Sequence, residues 1–406
     1  MTPELPSHAA NAAALAGTPQ ARMAHITQAR QAVLYGDGHP GATAGMDPWI
    51  ERSWQRCLAA GHRPDRLPSF DTIAPPALRR TLDENHSLIQ AARPVLEKLG
   101  RAIADTRYFA ILTNQHGVVV DVNGAIDRSD RRADLITRIG TDLSERQLAT
   151  TAIGAALAEL QPVWLHRGEH FFEANSVYSC AGAPLFGPDG ACIGMLDLTG
   201  IEAAERPELK HLVAQSARSI ENALTLGLFD DPRGVLLRLN WPGRSLGDET
   251  DALVCLDGDG YVLGANQAAR QMLPQLATQA IPGSTATAAT PANITRLHSS
   301  DLFAIAFEML FDAARDQGST RQVLEVPLWT GLRLHAMPIA MGQGTVQAPL
   351  LLAASGAAPQ ALKDIETALI RKAVDDARGN VVQAARALGV SRATVYRRLG
   401  AAIKRR

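Results

Sequence analysis

The sequence predicts an α+β multidomain protein with two antiparallel sheets that carry helices, followed by an all-α C-terminal end. At 406 residues the chain is long enough for two or three domains. Between residues 105 and 356, β-rich runs joined by turns that contain Gly and Asp alternate with helical segments. Residues 379–406 contain seven basic residues and neither Asp nor Glu, although the whole chain has a net charge of −1.

Composition narrows the class of protein. A hydrophobic content of 46% is ample for packed cores, and no apolar run is long enough to span a bilayer. The first residues lack the positive region that opens a secretory signal, so we expect a cytoplasmic protein without membrane contacts. The cysteines lack CxxC spacing, which indicates reduced thiols and neither a disulfide framework nor a metal site. No cofactor is expected.

The first 104 residues predict a tail and a helical segment. Residues 1–45 are predicted to be a flexible tail with one helical piece around residues 23–34. In residues 46–104, a helix begins at Asp47-Pro48, because Pro is tolerated in the first turn. A second, long helix is expected over residues 82–104, with a kink near Pro94.

Residues 105–228 predict the first sheet domain. A helix over residues 144–160, capped by Asp142 or Ser144, should follow the first hairpin. Gly187-Pro-Asp-Gly190 is a strong hairpin turn, and a helix over residues 207–226 closes the domain. The expected strands are residues 109–113, 118–122, 162–166, 178–186 and 191–199.

Residues 229–247 contain two Pro and three Gly and are predicted to be a linker. Residues 248–356 predict the second sheet domain, in which a hairpin around Asp257-Gly-Asp-Gly260 precedes a helix over residues 266–273. Residues 285–291 are expected to be a loop. The further strands are expected at residues 322–327, 331–337 and 349–354.

Residues 357–406 predict a pair of helices that binds double-stranded DNA. A helix over residues 365–377 should precede a second one that ends at Gly389, which adopts left-handed backbone angles readily. Ser391 then caps a basic helix that begins at Arg392. A helix, a short turn and a capped basic helix form the helix-turn-helix, whose second helix enters the major groove.

The residues from Ala384 to Leu399, AARALGVSRATVYRRL, closely resemble the Fis-type helix-turn-helix of bacterial enhancer-binding activators. The resemblance implies that Ser391 and Arg392 approach base edges. It also implies phosphate contacts by Asn380, Thr394, Arg397 and Arg398. The alternative is a solvated basic hairpin without a ligand.

Other segments resemble regulators of the acetoin-catabolism type. The N-terminal signature of that type is similar to Ile50-x-x-Ser53-Trp54-x-Arg56-Cys57. Ala152-Ile-Gly154 and Gly194-Met-Leu-Asp-Leu198 resemble its GAF module, and residues 252–273 resemble the opening of a PAS domain. Where those regulators usually have Gly-Thr-Asn, this chain has Ala149-Thr150-Thr151.

Full activators of this kind carry a central AAA+ ATPase, which this sequence is expected to lack. A phosphate-binding loop needs a Lys directly after Gly, and none of the five lysines follows one. The chain is therefore expected to regulate by binding alone or as the partner of an ATPase-bearing regulator; RNA polymerase is a further partner that the resemblance implies.

The GAF-like sheet is expected to hold an effector. Its candidate pocket residues are Trp164, His170, Phe172, Tyr178 and Cys180, which could equally fill the core. His166 and His170 are four residues apart, but a zinc site would need further ligands at regular spacing. Asp197 could face the polar side of its strand or cap a pocket.

We therefore predict a homodimeric DNA-binding transcriptional regulator that responds to a small-molecule or redox signal and is not an enzyme. One alternative is a GAF-domain redox enzyme, similar to a methionine-sulfoxide reductase, that uses Cys180 and Cys192. Another is a DNA-bending protein whose sensor modules are inert. The effector, the operator and the direction of regulation stay open.

Overall fold

The computed structural model describes most of residues 19–340 and part of the C-terminal end. The described residues are 19–37, 41–228, 233–277, 297–316, 323–340, 370, 373–374, 377, 380–388, 392 and 395. They divide into two compact units. The first draws on residues 1–79, 103–183 and 195–213, and the second on residues 80–102, 184–194 and 214–406. The contiguous domain boundaries expected from the sequence stay a prediction.

Four helices open the described chain: α1 (Pro19–Leu34), α2 (Pro48–Ala59), α3 (Pro75–Glu84) and α4 (His86–Ala102). Helix α2 begins after Asp47, as predicted. The long helix expected over residues 82–104, interrupted or kinked near Pro94, is confirmed over residues 86–102. Its expected start is wrong, because the chain breaks at Asn85, and Pro94 lies inside α4. The Asn85 side chain donates to the Thr81 carbonyl at 2.7 Å, a local bond that competes with helix continuation.

The first sheet has five strands in the order β2-β1-β5-β4-β3. Strands β1 and β2 pair antiparallel, with Phe109 opposite Gly124, and β3 pairs antiparallel with β4, with Leu165 opposite Cys180. All five predicted strands are confirmed within two residues at each end. Their bounds are β1 (Tyr108–Asn114), β2 (Val119–Gly124), β3 (Val163–His166), β4 (Tyr178–Phe186) and β5 (Cys192–Ile201).

Three short helices lie between β2 and β3: α5 (Arg131–Ile136), α6 (Glu145–Leu148) and α7 (Ala152–Glu159). The single helix predicted over residues 144–160 is wrong. Ala149 has φ 54° and ψ −146°, which no right-handed helix contains. The chain restarts at Thr151, whose hydroxyl accepts from the Gly154 amide at 3.1 Å.

Helix α7 packs directly on β4 because position 182 is glycine. A Cβ atom there would lie 2.6 Å from the Met195 Cε and 3.0 Å from the Ala152 carbonyl oxygen. The close approach of α7 to β4 therefore requires a residue without a side chain at position 182. This packing brings the start of α7 against the sheet, over a core that includes Ile111, Leu148 and Leu165.

The second sheet is antiparallel throughout and has the order β8-β7-β6-β10-β9. Helix α8 (Leu209–Leu226) precedes it, and the predicted strands that the structure describes are confirmed. The strands are β6 (Val235–Asn240), β7 (Ala252–Leu256), β8 (Val262–Ala265), β9 (Leu324–Pro327) and β10 (Arg333–Ala340). The helices are α9 (Gln267–Met272), α10 (Pro274–Ala277), α11 (Ser299–Leu302) and α12 (Phe307–Arg315).

The linker expected over residues 229–247 is wrong in its middle, because β6 is the central strand of this sheet. The strand contains a buried cation, Arg238. This charge interrupts the run of apolar residues by which a buried strand is recognised in a sequence. Arg238 pairs with the buried Asp251 at 3.0 Å, and the pairing offsets the cost of removing both charges from water. Residues 285–291 and 349–354, expected as loop and strand, lie outside the described residues.

Near the C-terminus, the described residues include helix α13 (Val381–Ala387). Its inner face joins a small buried cluster of Ile370, Ala385, Leu388 and Val395. Buried apolar residues at these positions agree with the packed helices predicted for this region. Gly389, Ser391, Thr394, Arg397, Arg398 and Leu399 lie outside the described residues.

Candidate functional site

A cavity lies within the first unit. It offers about 40 Å³ to the centre of a water molecule, and a single water needs about 10–15 Å³ of such space. The cavity therefore suits a small molecule. Its apolar lining is Phe70, Ile111, Ile136, Leu143, Leu148, Ala152 and Ile153, and its polar lining is Thr151, His170, Asn175, Tyr178, Cys180, Asp197 and Thr199.

Three of the five pocket residues expected from the sequence line this cavity: His170, Tyr178 and Cys180. The other two do not. Trp164 stacks on His166 with ring centres 6.3 Å apart. Phe172 packs edge-on against Phe171, with ring centres 5.5 Å apart. Both belong to the packing around the cavity rather than to its surface.

Asp197 is the strongest polar feature of the cavity. The Thr199 hydroxyl donates to the Asp197 Oδ2, whereas Oδ1 has no hydrogen-bond partner among the described residues. The Cys180 Sγ lies 3.4 Å from the Thr199 Oγ1. Because this hydroxyl donates to the carboxylate, its oxygen accepts from the thiol. Burial raises the pKa of Asp197 to about 7.

The sequence carried a signal for Asp197 that the pocket prediction left open. The residue is flanked by Leu196 and Leu198 in a strand whose residues from Gly194 to Ile201 are all buried. A charged residue in such a run is rare in a core unless it is paired or functional. Which side of the strand faces a cavity depends on the tertiary structure.

His170 is a neutral hydrogen-bonding group in this cavity. Its Nδ1 lies 2.9 Å from the Arg167 carbonyl oxygen. Because a carbonyl only accepts, Nδ1 carries the proton, and Nε2 of the neutral ring is an acceptor. Burial lowers the pKa of His170 to about 4, so the ring is uncharged at neutral pH.

Helices α1 and α2 hold the segment that carries His170. Arg30 of α1 donates to the carbonyl oxygens of Gly168 at 2.8 Å and of Phe171 at 2.9 Å, and also to that of His170. From α2, the Trp54 indole donates to the Glu169 carbonyl at 2.9 Å. The two N-terminal helices thus hold the main chain of one cavity wall in place through these hydrogen bonds.

A buried carboxyl lies in the same segment. Glu169 accepts from Arg22 of α1 at 2.9 Å, and Arg22 also pairs with Glu205 at 2.6 Å. Burial raises the pKa of Glu169 to about 7. Within the described ranges, no group of His, Cys, Asp and Glu could hold a metal ion, His166 and His170 included.

The cysteines in the structure are free thiols. Cys180 is buried, and burial raises its pKa well above the usual value. Cys192 is partly exposed, and burial also raises its pKa. A reactive thiolate needs a lowered pKa, so neither environment has the features of a redox centre.

At the C-terminal end, the structure describes two of the six residues expected to contact DNA. Arg392 is helical and exposed. Asn380 is exposed and caps α13, accepting from the Val382 and Gln383 amides at 3.1 and 3.2 Å. Its Oδ1 thus accepts two main-chain amides at the start of the helix. Ser391, Thr394, Arg397 and Arg398 lie outside the described residues.

No helix in the part of the chain that the structure describes combines the length and the apolar character needed to cross a bilayer. Two family models match the chain. Residues 25–222 match the MimR N-terminal domain, and residues 361–401 match the Fis family of bacterial regulatory proteins. The first match contains every residue that lines the cavity.

Curated relatives include the acetoin catabolism regulatory protein of Cupriavidus necator, 32% identical over 56% of this chain and 34% of that protein. The propane 2-monooxygenase operon transcriptional activator MimR of Mycolicibacterium goodii is 30% identical over 44% of this chain and 30% of that protein. The chain spans about a third of the length of these relatives. The solved E. coli DhaR(N)–DhaL complex matches 72% of this chain and 99% of its own, with a TM-score of 0.42 and 14% identity.

The relatives carry the names of transcriptional regulators and activators rather than of enzymes. The two family matches agree with this: the match to the MimR N-terminal domain covers the cavity, and the match to the Fis family covers residues 361–401. The chain is a homologue of the acetoin-catabolism regulators and the MimR-like activators, with a Fis-type helix-turn-helix at its C-terminus.

Proposed function

We propose that this chain is a homodimeric DNA-binding transcriptional regulator whose DNA binding responds to a small molecule in the cavity of the first unit. The observation that carries the proposal is the Fis-family match over residues 361–401. Arg392 is exposed there, beside a buried cluster that includes Leu388 and Val395. An exposed guanidinium on a packed helix pair can reach guanine in the major groove.

The sensor region comprises a GAF-like domain over residues 105–228 and a PAS-like domain over residues 248–356. Two five-stranded sheets with helices support this assignment. The DNA-binding domain is residues 357–406. Its basic helix, which begins at Arg392, is the reader helix that enters the major groove. In a homodimer, the two reader helices would meet half-sites one helical turn apart.

The effector is a small metabolite. The names of the relatives concern acetoin catabolism and a propane 2-monooxygenase operon; both acetoin and propane are small, uncharged molecules. A cavity that offers about 40 Å³ to the centre of a water molecule, several times what a single water needs, agrees with an effector of that size. The effector acts by binding one arrangement of the reader helices better than the other.

Regulation proceeds without ATP hydrolysis by this chain. The sequence has no Lys directly after Gly, so it lacks the residue that neutralises nucleotide phosphates in a phosphate-binding loop. RNA polymerase or an ATPase-bearing regulator would supply the remaining steps of activation.

Chromatin immunoprecipitation with sequencing would identify the target promoters, and gel shifts with the purified full chain would test them. We expect sequence-dependent binding without ATP that weakens steeply as salt rises, since phosphate contacts release counterions. Arg315→Ala, which removes an exposed arginine of α12, is the control and should bind like the wild type. A full chain that ignores promoter duplexes at low ionic strength would contradict the proposal.

A further inference from the structure

We infer that the cavity binds an uncharged molecule with a hydroxyl group, which donates a hydrogen bond to the free Oδ1 of Asp197 while the apolar wall covers its carbon skeleton. This inference rests on the proposed effector cavity and names the chemical class of its ligand.

The unpartnered oxygen is the first observation. Asp197 is fully buried and lines the cavity. Its Oδ2 accepts from Thr199, and Oδ1 has no partner among the described residues. A buried carboxylate oxygen without a donor is costly, so a ligand that supplies the donor gains affinity from a bond that the empty protein lacks.

The neighbouring polar groups decide what else the ligand can be. Thr199 already donates to Asp197, and the Tyr178 hydroxyl donates to the Arg132 carbonyl oxygen at 3.4 Å. Both hydroxyl protons are thus already donated, so the Asp197 Oδ1 needs a donor from the ligand. A ketone or ether oxygen, which only accepts, leaves Oδ1 unsatisfied.

The charge of the lining excludes ions. It contains no Lys or Arg, and His170 is neutral because burial lowers its pKa. An anion would therefore face Asp197 without a countercharge. An ammonium group would lose its hydration among Ile111, Leu148 and other aliphatic side chains, and one carboxylate offsets this cost only in part. A hydroxyl group supplies a donor without that penalty.

The test compares three four-carbon probes with the full chain at pH 8: butan-2-ol, butanone and 2-aminobutane. They share a skeleton and differ only in a hydroxyl donor, a carbonyl acceptor and an ammonium group. Titration by ligand-observed NMR should show butan-2-ol binding at least about tenfold more tightly than butanone, as expected for a hydrogen bond to a charged group. Equal binding of the alcohol and the ketone, or tighter binding of the amine, would overturn the inference.

Asp197→Asn should reverse the preference of the cavity between the alcohol and the ketone. With its oxygen held by Thr199, the new amide offers a donor, so the variant should lose affinity for butan-2-ol and gain affinity for butanone. Glu221→Gln is the matched control, since Glu221 is a buried carboxyl outside the cavity lining whose pKa burial also raises to about 7. It should leave the preference of the wild type unchanged; an equal change in both variants would contradict the role of Asp197.

Failure of this inference is distinguishable from failure of the proposed function. If the ketone or the amine binds best and alters promoter binding, the effector cavity stands and only the ligand class is wrong. If no probe binds at its solubility limit while promoter fragments are still bound, the inference is overturned and the DNA-binding role stands.

Discussion

Arg30 donates from its Nη1 to the main-chain carbonyl of Gly168 at 2.8 Å, across 138 residues of sequence. The same side chain reaches the carbonyls of His170 and Phe171 and lies over the Trp54 ring, 5.8 Å from its centre. One partly buried cation of α1 thus fixes the backbone on both sides of a residue that lines the cavity. The order of this cavity wall depends on the N-terminal helix.

We expect Arg30→Ala to destabilise the first unit by about 2–4 kcal/mol, because three carbonyl oxygens lose a charged donor. Thermal unfolding measures the loss, and hydrogen exchange should show faster exchange of the amides around residues 167–173. Arg30→Lys keeps the charge but not the planar fork, so its loss should be intermediate. An Arg30→Ala variant as stable as the wild type would show that residues 168–171 keep their conformation without the Arg30 hydrogen bonds.

Ala149→Gly should stabilise the protein by about 1 kcal/mol. Ala149 has φ 54° and ψ −146°, a region that costs a residue with a Cβ about 1–3 kcal/mol; part of the gain is lost to the greater entropy of unfolded glycine. Chemical denaturation measures the difference. Leu160→Gly is the comparison: Leu160 has φ 51° and ψ 36°, a left-handed conformation that is allowed but disfavoured for a residue with a Cβ, so its gain should be smaller than that of Ala149→Gly. A destabilised Ala149→Gly would contradict the strain.

Asp197 should make the protein less stable as pH rises towards neutrality. Burial raises its pKa in the folded state from 3.8 to about 7. Between these values the folded state holds a proton that the unfolded state has released, so stability falls with pH and levels off above 7. The melting temperature of Asp197→Asn relative to wild type should therefore rise from pH 5 to pH 7.

The exposed Asp65 supplies the control for this titration. The hydrogen bond from the Arg63 side chain lowers the pKa of Asp65 below its usual range, so the effect of Asp65 on stability is confined to more acid solutions. The difference between Asp65→Asn and wild type should stay constant from pH 5 to pH 8. A constant difference for Asp197→Asn as well would show that this carboxyl titrates normally.

Two arginines of the helix-turn-helix should differ in their effect on DNA binding. Arg392→Ala should relax base preference by about 1–3 kcal/mol, whereas Arg398→Ala should weaken binding to all sequences alike and reduce the salt dependence. Competition titrations with promoter and unrelated duplexes measure both. Equal losses on every sequence for the two variants would contradict this division of roles.

Cys180 should resist alkylation in the native protein. It is buried, and its raised pKa leaves little thiolate. Mass spectrometry after iodoacetamide treatment should find Cys180 unmodified unless denaturant is added, with the partly exposed Cys192 modified sooner. Fast native labelling of Cys180 would favour the redox alternative instead.

The sequence by itself determined the local elements whose causes are local. Turn residues such as Gly187-Pro-Asp-Gly190 placed hairpins, and Asp47-Pro48 started α2. Each follows from backbone preference or from the period of an element. The resemblance of residues 384–399 to the Fis-type helix-turn-helix identified the class of regulator.

Only the tertiary structure decided which residues meet. It showed β6 in a segment that resembled a linker, because the ion pair that makes burial of Arg238 tolerable joins β6 to Asp251, the residue before β7. It broke the predicted helix at Ala149 through a backbone angle that propensity does not anticipate. It placed the free oxygen of Asp197 beside a cavity and Trp164 outside it, since a side chain's neighbours depend on strands and helices far apart in sequence.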